Sequence, residues 1–357
     1  MNKRKTILLT VIVVALIVLV AIFRDRVHFD WHVFWQQLHL VSWKHICAGI
    51  ALIYATYWLR SLRWAVFVSP TKKVSAVSLL GPQFIGFTAV ALFGRLADLT
   101  RPYLVARRIN LPLSSQVAVY TIERMFDLSA AALVISSALL FVPKGMPHHE
   151  VFIRAGKVIL KFMLASAALV GVIRLAGDVV ARYARGTVGL LSKSAGESIS
   201  SKILGFRDGL NALKSVKDFG IAASISLLMW FMIGWAYVQT AHAFVHRPEL
   251  ATLTFSRTML LMAASIGASV LQLPIIGWFT QIIATATAMH EFYAAPVEAA
   301  TACGALLLLV TSLCIIPTGL AYSRMEHISL KNIASESEAA GKESAMADTY
   351  DEDIPIS

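Results

Sequence analysis

Two charged clusters interrupt an otherwise apolar chain. The first, GRLADLTRPYLVARR at residues 94–108, carries Arg95, Asp98, Arg101, Arg107 and Arg108. The second, YTIERMFDL at residues 120–128, carries Glu123, Arg124 and Asp127. A guanidinium holds phosphate oxygens with a planar fork, so arginines repeated along one face could grip an anionic lipid headgroup. On a helix, Arg95, Asp98, Arg101 and Arg108 fall near one face and Leu96, Leu99, Tyr103 and Ala106 near another. Asp98, three residues from both Arg95 and Arg101, would hold their side chains in place. An amphipathic helix at the membrane surface, its arginines setting topology, has the same pattern. Spacing leaves both readings open.

In the second cluster Glu123 and Asp127 are four residues apart and share a helical face. Two carboxylates on one face repel unless a cation sits between them, and the nearest cations are the arginines one short loop upstream. A charge at the centre of a spanning helix costs about 2.5–3.5 kcal/mol on insertion scales, so it faces other protein or a water cavity. The pattern predicts either an ion-pair network joining the two clusters or a direct part in handling substrate or protons.

These residues need a membrane scaffold to position them. Of 357 residues, 57% are hydrophobic and 15% charged, where a soluble domain carries roughly 25% charged residues. Several apolar runs approach the ~20 residues that cross the hydrocarbon layer as a helix. The fold class is therefore all-α, a polytopic membrane protein. The net charge of +11 could signal nucleic acid, but Lys and Arg are scattered over short loops, as topology determinants and contacts to anionic lipid are. Membrane lipids are the expected partners and nucleic acid is not.

Cys47, Cys303 and Cys314 all lie in apolar runs, without metal or disulfide spacing. No P-loop, dinucleotide fingerprint, HExxH or nucleophile elbow is present, and the loop triad His148-His149-Glu150 is a weak metal signal. The expectation is no cofactor, no metal and no enzymatic reaction.

Full spans are expected at 7–23, 45–68, 117–142, 152–176, 219–245 and 297–322. The run at 7–23 is too long for a signal-peptide core and lacks a cleavage site. Trp31, Phe34, Trp35 and Trp43 after it suit the membrane interface. The apolar stretches at 74–93 and 258–288 are broken by Gly81-Pro82 and Gly86, and by LPIIG at 273–277. Lys3, Arg4 and Lys5 place the N-terminus in the cytoplasm, and the second span returns Arg60, Arg63, Lys72 and Lys73 there. Were 74–93 to cross, the arginines of the first cluster would lie outside; as a re-entrant hairpin it keeps them inside. Residues 177–217 form a cytoplasmic basic loop, and 258–288 a second hairpin entering from outside. Gln281 and nearby threonines could line a polar path there or satisfy the hairpin backbone.

The expected architecture is six full spans and two opposed hairpins in a pseudo-inverted repeat, as in many transporters. Residues 1–44 hold the first helix and aromatic segment, 45–323 the main membrane domain, and 324–357 a disordered acidic tail. Both termini would be cytoplasmic, in a cell membrane, with the bacterial inner membrane the expected one.

With WLRSLRW (58–64), ALFGRLADLTRPYLVARR (91–108), IERMFD (122–127) and LPIIG in hand, the chain resembles, over residues 43–322, the flippase-like family named for the transmembrane region of lysylphosphatidylglycerol synthase. That family carries a P-G-R-x-G-E-x-x-R pattern followed by E-R-x-x-D. The chain keeps Gly94, Arg95, Arg101, Glu123, Arg124 and Asp127, with Phe93 for Pro, Ala97 for Gly and Asp98 for Glu. The resemblance implies a translocase for an anionic lipid or lipid-linked precursor, without the namesake's soluble synthase domain. Arg95, Asp98, Arg101, Arg108, Glu123, Arg124 and Asp127 are then the candidate headgroup residues. A membrane enzyme, or an accessory subunit for modifying a lipid or envelope glycolipid, is the alternative. A homo-oligomer or an envelope-biosynthesis partner fits either reading.

Overall fold

The computed structural model describes residues 29–142, 144–145, 149–189, 215–269 and 276–330, with isolated positions at 196–200 and 332–339. The expected span at 7–23, most of the basic loop, the Pro274 break and the end of the tail lie outside them.

The described chain is helical. It begins with α1 (Trp31–His39), whose first turn is capped by Asp30 accepting from the backbone N–H groups of His32 and Val33. Then come α2 (Trp43–Val68), α3 (Leu80–Phe93), α4 (Thr100–Ile109), α5 (Leu113–Leu139), α6 (His149–Gly189, kinked at Ala176) and α7 (Val216–His242). After the single turn α8 (Pro248–Ala251) come α9 (Phe255–Ser269), α10 (Ile276–Tyr293), α11 (Val297–Leu308) and α12 (Ile316–Met325). The protein is an all-α membrane protein. Among the described residues, two stretches are long and apolar enough to cross a bilayer, Lys217–His242 and Val297–Met325; the bent pair α1–α2 makes a third only if its 77° corner belongs to one span.

Residues 80–109 form a hairpin of short helices. α3 has 14 residues and α4 has 10, about 21 and 15 Å at 1.5 Å per residue, against a hydrocarbon layer of about 30 Å. Gly94 ends α3 at φ 67°, ψ −149°, a conformation that only glycine reaches without strain. Gly86 lets the arms touch: a Cβ there would lie 2.7 Å from the Arg101 Cβ. Asn110, left-handed at φ 51°, closes α4.

This corrects the single amphipathic helix expected across 94–108. Residues 94–97 make a 3-10 turn and the α-helix begins only at Thr100, so the face that spacing assigned to Arg95, Asp98, Arg101 and Arg108 does not exist. Arg101 is 2% exposed, whereas Arg108 is exposed and pairs with Glu326 at 3.6 Å. The arginines of one motif serve two places.

α9 and α10 pack against one another as the second pair of short helices. One broken helix braces both pairs. Its first half, α11, lies on α10, and its second half, α12, lies on α3. Gly304 allows the first approach, where a Cβ would stand 3.0 Å from the Ile282 carbonyl. Gly319 allows the second, at 2.7 Å from the Phe84 carbonyl, and the Phe84 and Tyr322 rings stack beside it. Small residues at such crossings are how membrane helices gain contact without a hydrophobic driving force. Between the halves, Leu309–Leu313 widen into a π-helix.

The expected acidic tail begins at 324, and several of its described residues pack. Ile328, Leu330 and the buried Ile333 cover Ile85 and Leu104 of the first hairpin.

Candidate functional site

The site is built in two layers, and the back layer is a charge clamp. Glu123 and Asp127, one turn apart on α5, meet Arg60 and Arg63, one turn apart on α2. Arg63 donates through Nη1 to Asp127 Oδ1 at 2.7 Å and through Nη2 to Glu123 Oε1 at 2.7 Å. Its Nη1 also reaches Ser226 Oγ on α7 at 2.6 Å. Arg60 Nη1 donates to Asp127 Oδ2 at 3.0 Å. From the hairpin, Arg101 Nη1 donates to Glu123 Oε1 at 3.0 Å and to Gln83 Oε1 at 3.2 Å. A second contact, Arg101 Nη2 to Glu123 Oε2 at 3.0 Å, is electrostatic without hydrogen-bond geometry.

The Arg63 side chain is 0% exposed and that of Glu123 1%. Charges this deep persist only when paired. Three helices and the hairpin are thus tied to two carboxylates.

Aromatic rings complete the setting of Arg101. Its guanidinium lies 4.5 Å from the Phe87 centroid, 5.0 Å from Trp64 and 5.1 Å from Tyr120, within cation–π range. Trp64 is itself fixed by an indole N–H donated to Gln116 Oε1 at 3.0 Å.

The front layer is a cavity of about 360 Å³ between the two pairs of short helices. Arg60, Arg101 and Arg124 line it, with Asp98 the one carboxylate among the described lining residues. Arg124 has no carboxylate within ion-pair distance among the described residues. Its guanidinium stacks 4.9 Å from Tyr120, and its Nε is buried without a hydrogen-bond partner. The opposite wall comes from α7, α9, α10 and the π-helix, including Trp230, Ser265, Gln281, Thr311 and Ser312.

The candidate residues therefore separate. Arg101, Arg124 and Asp98 face the cavity; Glu123 and Asp127 stand behind, orienting Arg60 and Arg101; Arg108 is remote from them, at Glu326. For Arg95 only the backbone lies among the described residues. The expected network between the clusters exists through Arg101, but its strongest partners are Arg60 and Arg63, which the positive-inside rule reads as loop charges. The missed signal is the i, i+3 arginine pair of WLRSLRW, complementary to the i, i+4 carboxylates of IERMFD. Of the polar residues expected near the second hairpin, Gln281 lines the cavity, whereas Thr280 and Thr285 bond to backbone carbonyls of their own helix.

No curated protein sequence and no solved structure matches the chain. A sequence model of the family described as "Lysylphosphatidylglycerol synthase TM region" matches residues 7–316, which include every helix that contributes to the clamp and the cavity. The chain belongs to that family.

Proposed function

We propose that the protein translocates an anionic membrane lipid, or a lipid-linked precursor, between leaflets, holding the headgroup in the arginine-lined cavity while the acyl chains stay in the bilayer. Membership of a family named for a lipid-synthase membrane region places the protein in membrane-lipid biology, and the cavity supports the finer reading. The observation that carries it is depth. The lining residue Trp230 sits at the middle of Lys217–His242, and Leu308 to Ile315 sit about the middle of Val297–Met325. Arg124 faces the same cavity without a carboxylate within ion-pair distance among the described residues, so the clamp that pairs Arg60 and Arg101 does not account for it. Charges at such depth mark a substrate path.

The volume falls at the small end of ligand cavities, roughly 300–1,000 Å³, which suits a headgroup and not a whole lipid. The Lys/Arg distribution supports a cell-membrane protein with cytoplasmic termini, so the first hairpin meets the cytoplasmic leaflet.

The test is lipid exchange in proteoliposomes containing fluorescent phosphatidylglycerol, with dithionite quenching of the outer leaflet as the readout. The protein should expose the inner-leaflet pool to quenching, and Arg101→Gln and Arg124→Gln should slow that by about tenfold or more, as expected for charge-assisted contacts. Equal rates in protein-free and protein-containing vesicles would overturn the reading.

A further inference from the structure

The two walls of the cavity differ in kind. Among the described lining residues, every charged one comes from the first half of the chain: Arg60, Asp98, Arg101 and Arg124. The described second-half residues that line it, from Trp230 to Ile315, include no charge and several neutral hydrogen-bonding groups. Gln281 donates through Nε2 to Ser265 Oγ at 2.7 Å, which fixes the amide and leaves its oxygen as an acceptor. Thr311 bonds back to the Leu307 carbonyl at 2.7 Å, and Ser312 lies beside it on the π-helix. The Trp230 indole N–H is buried without a partner, and Trp278 adds a second indole. Buried polar atoms left unpaired are uncommon and imply a missing partner. Hydroxyls and amides interleaved with indoles are how proteins hold uncharged, hydroxyl-bearing groups, the indole supplying a flat apolar face and one donor.

The geometry points to a headgroup of two parts: a phosphate at the arginine wall and a neutral polyol or sugar at the wall formed by Gln281, Ser312 and Trp230. This rests on the reading that the cavity holds a lipid headgroup, and narrows it. It also disfavours the kind of lipid named in the family description. A lysyl ester would bring an ammonium beside Arg124, which has no carboxylate within ion-pair distance among the described residues, while the other two lining guanidiniums, Arg60 and Arg101, already hold Asp127 and Glu123. Like charges in such a space repel.

The full-length protein, purified in micelles, would be titrated with dioleoyl phosphatidic acid, phosphatidylglycerol, phosphatidylinositol and lysylphosphatidylglycerol, and bound lipid counted by native mass spectrometry. Phosphatidic acid supplies the phosphate alone; the next two add hydroxyls; the last adds amines. Phosphatidylglycerol and phosphatidylinositol should bind about tenfold tighter than phosphatidic acid, the value of two or three hydrogen bonds, and lysylphosphatidylglycerol more weakly than phosphatidylglycerol. Ser312→Ala and Gln281→Met should each reduce that preference at least threefold while leaving phosphatidic acid binding unchanged, which also shows that the variants are folded. Equal binding of phosphatidic acid and phosphatidylinositol, tightest binding of the lysyl lipid, or variants that weaken all lipids alike would overturn the two-part headgroup alone. Binding of all four lipids no better than of phosphatidylcholine would overturn it together with the reading on which it rests.

Discussion

Asp127 accepts from both Arg60 and Arg63, so neutralising it leaves two buried guanidiniums to share Glu123 with Arg101. Losing one partner of a buried pair costs about 3–5 kcal/mol. Asp127→Asn should therefore lower the unfolding midpoint of the purified protein strongly, while Asp127→Asn combined with Arg63→Met should recover part of the loss. A double-mutant cycle on thermal unfolding reads that coupling directly. Arg124 makes the opposite prediction. With no ion pair to lose among the described residues, Arg124→Gln should leave the midpoint nearly unchanged and weaken binding of anionic lipid. Thermal unfolding and lipid titration of one preparation separate the two roles. At this scale the sequence was half legible. The charges of IERMFD and of the first cluster were visible as partners, because spacing of three or four residues declares a shared helical face. Arg60 and Arg63 were visible too, but counting Lys and Arg near a span end does not tell an inward side chain from an outward one.

Among the elements, the hairpin depends on two glycines whose needs differ. Gly94 supplies a backbone conformation, and Gly86 supplies room for Arg101. Gly86→Val would push α3 from α4 and move Arg101 away from Glu123. The variant should insert and accumulate normally, yet show lipid affinity as low as Arg101→Gln in the same titration. The π-helix at Leu309–Leu313 is a second dependency. An extra residue in a helix turn changes the rotation of everything after it, and the contact downstream of it is Gly319 against α3. Deleting Leu309 would turn α12 by about 100°, given 3.6 residues per turn, and bring larger side chains against Phe84. Loss of lipid exchange in proteoliposomes, with α-helical content preserved by circular dichroism, is the expected outcome. The hairpin was legible only in part. Gly81-Pro82 and Gly86, where a break was expected, lie inside the continuous α3. The chain turns at Gly94, so that the charged motif expected to follow the hairpin forms its second arm. The π-helix was not legible, since nothing in LLLLVTSLC departs from an ordinary apolar span; its widening reflects packing of the two halves on different partners. The 3-10 turn before Thr100 was hidden for a similar reason: helical spacing is a pattern of residues, and Gly94 breaks it by backbone geometry.

For the whole molecule, composition alone settled the class: a helical membrane protein, with apolar runs interrupted where a site is needed. What composition could not show is that the two halves divide the labour, the first supplying charge and the second neutral hydrogen bonds and indoles, because that division appears only when distant helices enclose one cavity. Translocation by this route requires a lipid headgroup to enter that cavity. Photo-crosslinking detects such entry without an intermediate step, with an anionic lipid carrying a diazirine on its headgroup, the protein in a bilayer, and the labelled peptides identified by mass spectrometry. Label should appear on both walls, in residues 86–101 and 308–315, be lost on competition with unlabelled phosphatidylglycerol, and be reduced in Arg101→Gln. Label confined to the outward faces of α2 and α7, and unchanged in that variant, would show that the headgroup stays outside.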